Sequence, residues 1–324
     1  MIHIEKINIV IALLMMGMLS WGCSSSPQRN GSGEERENHT GADFFEHLQV
    51  VCDGYQNRFD YKGKLEKKYA AAGLYAVDTL TETSAEERIR LFQFYFPAEL
   101  KTTDRQWPVV IMANGTGIRA SKYRAIFHHL ASWGFIVAGN EDEWTWDGRS
   151  VDMTLDYLLR ANDDAESPFY QRIDTAHIGL TGHSQGGMAI YTAAALFDNS
   201  PRYKALCPLS ATAKMLGDSL GWSFLTEIHA PMLMAGGCGA IDANLLCPPE
   251  HIKQTFDSLL TAPVIMGRIK DTDHGDMLPR GDAYMTAWMR YWLCGDQEAG
   301  KCFLGDSAEL LGNESWQDIK RKGL

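Results

Sequence analysis

The chain has no C-x-x-C pair, no internal repeat, no basic run beyond the short tail Lys320, Arg321, Lys322, and no apolar run long enough to cross a bilayer. Each absence excludes something. A zinc site would want closely spaced Cys or His pairs, and with no C-x-x-C anywhere no metal is expected. A formal charge of -11 leaves no electrostatic footprint for nucleic acid, which needs basic patches to neutralise phosphates. The basic tail is expected to be a solvated C-terminus. What is present is ordinary for a globular protein: apolar residues make up 45% and charged residues 22%, enough for a sizeable core.

The N-terminus carries an export pattern. Lys6 precedes an apolar run from Ile9 to Leu19, too short for a spanning helix but right for the apolar region of a signal peptide. Directly after it, Ser20, Trp21, Gly22 and Cys23 resemble a bacterial lipoprotein cleavage box, with Cys23 as the lipid attachment site. Leu19 sits one place further from Cys23 than that box usually has it, and a plain signal peptide with an incidental cysteine is the alternative. Residues 24 to 41 (SSSPQRNGSGEERENHTG) contain almost nothing apolar and read as a flexible tether.

The expected organisation is therefore a signal peptide over 1–22, a tether over 23–41 and one domain over 42–324. The protein is expected to face the periplasm or the cell surface, touching membrane only through its N-terminal lipid; nothing indicates its oligomeric state. Export makes disulfides admissible. By spacing, Cys238 with Cys247 and Cys294 with Cys302 are the plausible local pairs, leaving Cys52 and Cys207 free and buried.

Past the tether, short apolar runs bounded by turn residues read as strands: Tyr75 to Leu80, Ile89 to Phe96, Val109 to Ala113, Ile136 to Ala138, His177 to Thr181, Leu206 to Leu209, Met232 to Ala235 and Val264 to Ile269. From Val109 onward they alternate with helical stretches: Tyr123 to Trp133, Val151 to Arg160, Gln185 to Phe197, Pro249 to Leu260 and Ala283 to Leu293. An antiparallel pair followed by βα units predicts an α/β fold of the α/β-hydrolase order, a mostly parallel sheet with helices on both faces. The aromatic stripe Tyr284, Trp288, Tyr291, Trp292 is expected to pack in the core.

The segment from Gly182 to Gly187 reads GHSQGG, between an apolar strand and a helix rich in Ala and Met. That context turns G-x-S-x-G into a nucleophile elbow, in which Ser184 projects from a strained turn. The helix start offers free N–H groups where an oxyanion would form, so the Gln185 amide is one expected donor. The second is the Thr116 amide in the loop Asn114, Gly115, Thr116, Gly117, which follows the third strand.

Serine needs a base that titrates near neutrality. Of the ten histidines, only His229, His251 and His274 follow Ser184, as the chain order of such enzymes requires. His274 lies in the loop DTDHGDML after the last expected strand and is the candidate base; its neighbours Asp271, Asp273 and Asp276 are expected to be solvated loop charges. In the loop GGCGAIDANLLCPPE, Asp242 is the only carboxylate before Glu250 and is the candidate for orienting the base, with Glu250 or a helix-capping role for Asp242 as alternatives. Trp144 and Trp146, in EDEWTWDGRS beyond a strand's C-terminal end, are candidates either for stacking on substrate or for rim packing.

The segment from Val109 to Cys302 resembles the bacterial cutinase and polyester (PET) hydrolase branch of α/β-hydrolases, related to the lipases and dienelactone hydrolases. The matching stretches are NGTGIRAS, LASWGFIVAG, SPFYQRIDTAHIGLTGHSQGGMA and AWMRYWL. The resemblance implies a cofactor-independent hydrolase of carboxylic esters, with Ser184, His274 and Asp242 as triad and Thr116 and Gln185 as oxyanion donors. Polyester degraders of that family carry an aromatic residue where Thr116 stands, a Trp in the loop where this chain reads Leu209, Ser210, Ala211, Thr212, and a shorter acid loop. An exported peptidase or amidase would use the same residues, and a non-catalytic surface lipoprotein binding glycans or a partner is a reading from a different class.

Overall fold

The computed structural model describes Cys23–Ser24 and residues 48–324. The expected signal peptide, the lipid-accepting side chain of Cys23 and the tether beyond Ser24 lie outside the described residues.

The core is a nine-stranded sheet. Its strands are β1 (Val77–Thr83), β2 (Leu91–Pro97), β3 (Trp107–Ala113), β4 (Ile136–Asn140), β5 (Ile173–His183), β6 (Tyr203–Leu209), β7 (Met232–Gly237), β8 (Val264–Ile269) and β9 (Trp316–Lys322). Their spatial order is β9-β8-β7-β6-β5-β3-β4-β2-β1. β3 to β8 run parallel to their neighbours, while β1, β2 and β9 are antiparallel additions at the two edges.

The sequence explains which strands are central. β3 reads WPVVIMA and is buried along its whole length, as expected of a strand covered on both faces. β1 reads VDTLTET, with no residue fully buried, as suits an edge. Helices α3 (Arg149–Asp163), α4 (Gln185–Leu196) and α6 (Pro249–Ser258) cover one face of the sheet, packing on Val109, Ile111, Leu180 and Met234. Helices α2 (Arg124–Ser132) and α7 (Met277–Cys294) cover the other, on Val110, Met112, Cys207 and Leu233. The alternation of 109, 111 against 110, 112 is the two-residue period of a strand between two apolar layers. The aromatic stripe is core, as its spacing suggested: Tyr284 and Trp288 are buried in the second layer, with Trp288 edge-on to Phe303 at 5.0 Å.

Among the elements that went unanticipated are helix α1 (Lys64–Ala70), helix α5 (Ala213–Leu220) and strand β9. α1 docks on α7 through Glu66, whose buried carboxylate accepts hydrogen bonds from Arg280 Nη1 at 2.6 Å and from the Asn313 amide at 2.8 Å. The tail is not a free solvated terminus, because Lys320, Arg321 and Lys322 pair in β9 with Met266, Ile265 and Val264. Its apolar pattern was hidden by a bulge. Asp318 has a φ of 55° and the register shifts beside it, so Trp316 and Ile319, three residues apart, both lie over Gly267.

The expected bridges do not form either. Cys238, Cys247, Cys294 and Cys302 are all free thiols, as is the buried Cys207, whereas Cys52 is not a free thiol. Spacing misled here because the loop after β7 is closed by other means. Cys247 turns inward against Gly236, Cys238 donates its amide to the Ile269 and Thr272 carbonyls, and a hydrogen-bonded turn over Asp242–Leu246 lies between them.

The edge strand gives a stability test. Trp316 is 5% exposed, lies edge-on to Tyr284 at 5.6 Å and fills the space over Gly267. Trp316→Ala should lose about 3–5 kcal/mol in urea unfolding, while Lys320→Ala on the exposed side of β9 should stay within about 0.5 kcal/mol of the parent. Equal effects from the two would contradict a packed ninth strand.

Candidate active site

β5 ends at His183 and α4 begins at Gln185, which leaves Ser184 alone to reverse the chain. Its φ of 60° and ψ of -121° lie in a region that a side chain occupies only when its surroundings hold it there. The surroundings are tight. A Cβ on Gly182 would stand 2.6 Å from the Gly186 carbonyl, and one on Gly186 would stand 2.1 Å from Ala113 O, so only glycines allow β3, β5 and α4 to meet this closely. The Ser184 amide is fixed by donating to Leu209 O at 3.0 Å.

His274 sits in the loop after β8, 2% exposed, and its Nδ1 lies 2.6 Å from Oδ1 of Asp242 in the loop after β7. Asp242 is fully buried, and its second oxygen accepts hydrogen bonds from the Ser210 hydroxyl and, at 2.7 Å, from the Gly237 amide. Burial opposes ionisation of this carboxyl, but the His274 contact, the hydroxyl and the amide together hold it below the usual carboxylate range. Asp242 is therefore an anion aimed at the ring nitrogen opposite the one that would face a nucleophile. Glu250, the other acid of that loop, lies in the first turn of α6. His229 bonds to Thr261 and His251 lies within α6, so neither belongs to this cluster.

The sequence reading missed three residues here. Asp273 is not a solvated loop charge: its carboxylate accepts from the amides of Ile241 at 3.1 Å, Asp242 at 2.9 Å and His274 at 2.8 Å, joining the acid loop to the histidine loop. Of its neighbours, Asp271 is exposed and Asp276 pairs with Arg58 at 2.8 Å. Ser210, read only as a place without a family Trp, holds Asp242 instead. His183 donates from Nε2 to the His274 carbonyl at 2.8 Å, with the two ring centres 4.5 Å apart. Burial, reinforced by His274, pushes the His183 imidazole down to about 3, so it is a neutral donor near pH 7. Of these, only the HS pair in the elbow gave a local clue.

The loop after β3 is pinned on either side of Thr116. The Gly115 amide donates to Tyr123 Oη at 2.9 Å and the Gly117 amide to Glu143 O at 2.9 Å. The amides of Thr116 and Gln185 meet no acceptor among the described residues. Gly115 passes over Ser184, a Cβ there standing 4.0 Å from Ser184 Cβ. Trp144 and Trp146 are 45% and 46% exposed on a loop in which Arg88 grips Asp142 at 2.7 Å and Asp147 at 2.8 Å. Among the described residues no group of three or more His, Cys, Asp or Glu is placed to hold a metal.

A family model described as PET hydrolase-like matches residues 65–316. The chain is 28% identical over 174 residues to Cutinase 2 of Thermobifida cellulosilytica, covering 52% of this chain and 58% of that protein. It is 28% identical over 174 residues to Cutinase cut1 of Thermobifida fusca, covering 52% and 48%. It is 31% identical over 195 residues to a bis(hydroxyethyl) terephthalate hydrolase of Streptomyces coelicolor, covering 58% and 56%. The chain spans about half the length of the curated relatives it matches.

A buried neutral histidine makes stability depend on pH in a known direction. Unfolded, His183 titrates near about 6.5, whereas folded it titrates at about 3. Between those values only the unfolded chain binds the proton, so stability falls as pH falls, by up to about 1.4 kcal/mol per unit. His183→Gln keeps an N–H for the His274 carbonyl but cannot titrate, so its urea midpoint should decline less than the parent's from about pH 6.5 to about pH 4.5. Parallel declines would contradict the assignment.

Proposed function

The chain belongs to the PET hydrolase-like family, and from that premise we propose that it is a serine carboxylic-ester hydrolase working through an acyl-enzyme. Ser184 Oγ attacks the ester carbonyl while His274 Nε2 takes its proton; Asp242 holds the Nδ1 proton and stabilises the imidazolium. The amides of Thr116 and Gln185 hold the tetrahedral oxyanion. His274 returns the proton to the departing alcohol, and water activated by the same ring releases the acid. No cofactor takes part. The observation that carries this reading is the buried 2.6 Å contact between His274 Nδ1 and Asp242 Oδ1, taken with the strained elbow at Ser184.

The names of the relatives point to cutin-type and terephthalate esters as their own substrates. For this chain we place the substrate among small or polymeric esters bound partly by the half-exposed indoles of Trp144 and Trp146. Thr116 and the loop Leu209, Ser210, Ala211, Thr212 stand where polyester degraders carry rings, and this favours substrates that do not need a flat aromatic shelf. The reading includes export, with residues 1–22 as signal and Cys23 as the lipid anchor.

Hydrolysis of p-nitrophenyl acetate, butyrate and decanoate tests the proposal. Ser184→Ala and His274→Ala should each lose on the order of 10³-fold or more in kcat, and Asp242→Ala less. Activity that survives Ser184→Ala, or no activity on any ester, would remove the triad and favour a binding protein.

A further inference from the structure

We propose that the side chain of Gln185, apart from its backbone amide, is a positioning residue that sets the second oxyanion donor, Thr116; this rests on the ester-hydrolase reading above. The side chain that caps a helix start belongs to the residue before the first helical position, so Gln185 is not needed as a cap. Gln185 is nonetheless only 8% exposed and uses both ends. Its Nε2 donates to Thr116 Oγ1 at 3.1 Å, and its Oε1 accepts from the Thr145 amide at 2.9 Å.

These bonds close a ring of loops. Thr145 Oγ1 donates to Asn114 O at 2.7 Å, and Asn114 Nδ2 donates to the carbonyls of Asn140 and Asp142, each at 2.7 Å. Gly115 and Gly117 are held by Tyr123 and Glu143, and the Gly115 carbonyl, in the same peptide as the Thr116 N–H, accepts from the Ile118 amide at 3.1 Å. The Gln185 side chain adds a hold on the Thr116 hydroxyl, so the aim of that N–H is fixed from α4 as well as from within its own turn. One residue then presents one oxyanion donor from its backbone and aims the other through its side chain. A donor helps only when it points at where the oxyanion forms, so the contribution falls on the transition state more than on substrate binding. Thr145 lies between Trp144 and Trp146, so the same ring ties the indole loop to the oxyanion hole.

The full chain is assayed on p-nitrophenyl butyrate as Gln185→Leu, Thr116→Val, Thr116→Ser and the double variant Gln185→Leu/Thr116→Val, beside Ser184→Ala. Inhibition by butylboronic acid, which adds to a serine hydroxyl as a tetrahedral anion, is measured in parallel. Gln185→Leu and Thr116→Val should each lower kcat about 10- to 100-fold with KM within about threefold, and weaken the boronate by a similar factor. Thr116→Ser, which keeps the hydroxyl, should retain most of the activity. The double variant should be no worse than the poorer single, because both singles already break the bond between Gln185 and Thr116. Unchanged kcat in Gln185→Leu, losses that multiply, or an effect on KM alone would overturn the inference. If Gln185→Leu does not fold, the Val and Ser variants of Thr116 decide. If Ser184→Ala keeps full activity the ester-hydrolase reading itself fails; if Ser184→Ala is inactive while Gln185→Leu and Thr116→Val are not, only this inference does.

Discussion

The contact between His274 and Asp242 takes an imidazole and a carboxylate out of water, and most of the surrounding architecture answers that cost. Removing either partner would strand the other in a dry site. The carboxylate is satisfied on both oxygens by His274, Ser210 and Gly237. The loops carrying the pair have little regular structure, so their relative position depends on Asp273, which takes three amides, and on His183, which holds the His274 carbonyl. A contact 2.6 Å long between two loops is reproducible only because those bonds remove the alternatives.

The sheet turns this into a site by geometry. Parallel strands end at the same edge, and successive ends here supply Thr116 after β3, Thr145 after β4, Ser184 after β5, Ser210 after β6, Asp242 after β7 and His274 after β8. Ligands of open α/β sheets bind outside the carboxyl ends of the strands. The strain at Ser184 is tolerated because β5, its scaffold, lies in the middle of the sheet between β3 and β6.

What could be read from the residues was what repeats or what is locally forced. The alternation of apolar runs with helical stretches placed β3 to β8 within a few residues, and glycines around a single serine marked the elbow. Asp242 was reachable by elimination, being the sole acid in its loop before Glu250. Contacts set by tertiary closure were not reachable. Nothing near Ser210 signals that it will meet a carboxylate 32 residues later. Asp273 was discounted because a neighbouring side chain seldom reaches back to a ring, and it does not; it reaches backbone amides instead. Cysteine spacing suggested two bridges, but the intervening chain is a hydrogen-bonded turn in one case and the C-terminus of α7 leading into a short helix in the other. The ninth strand was masked by the bulge at Asp318 and by the lysines that protect a sheet edge.

The central claim is that Ser184 is the one activated hydroxyl. It is tested most directly by treating the native chain with a fluorophosphonate and locating the adduct by peptide mass mapping. A single stoichiometric adduct on Ser184, absent from Ser184→Ala and strongly slowed in His274→Ala, is the predicted result. An adduct on another residue, or no adduct on the folded protein, would contradict the account.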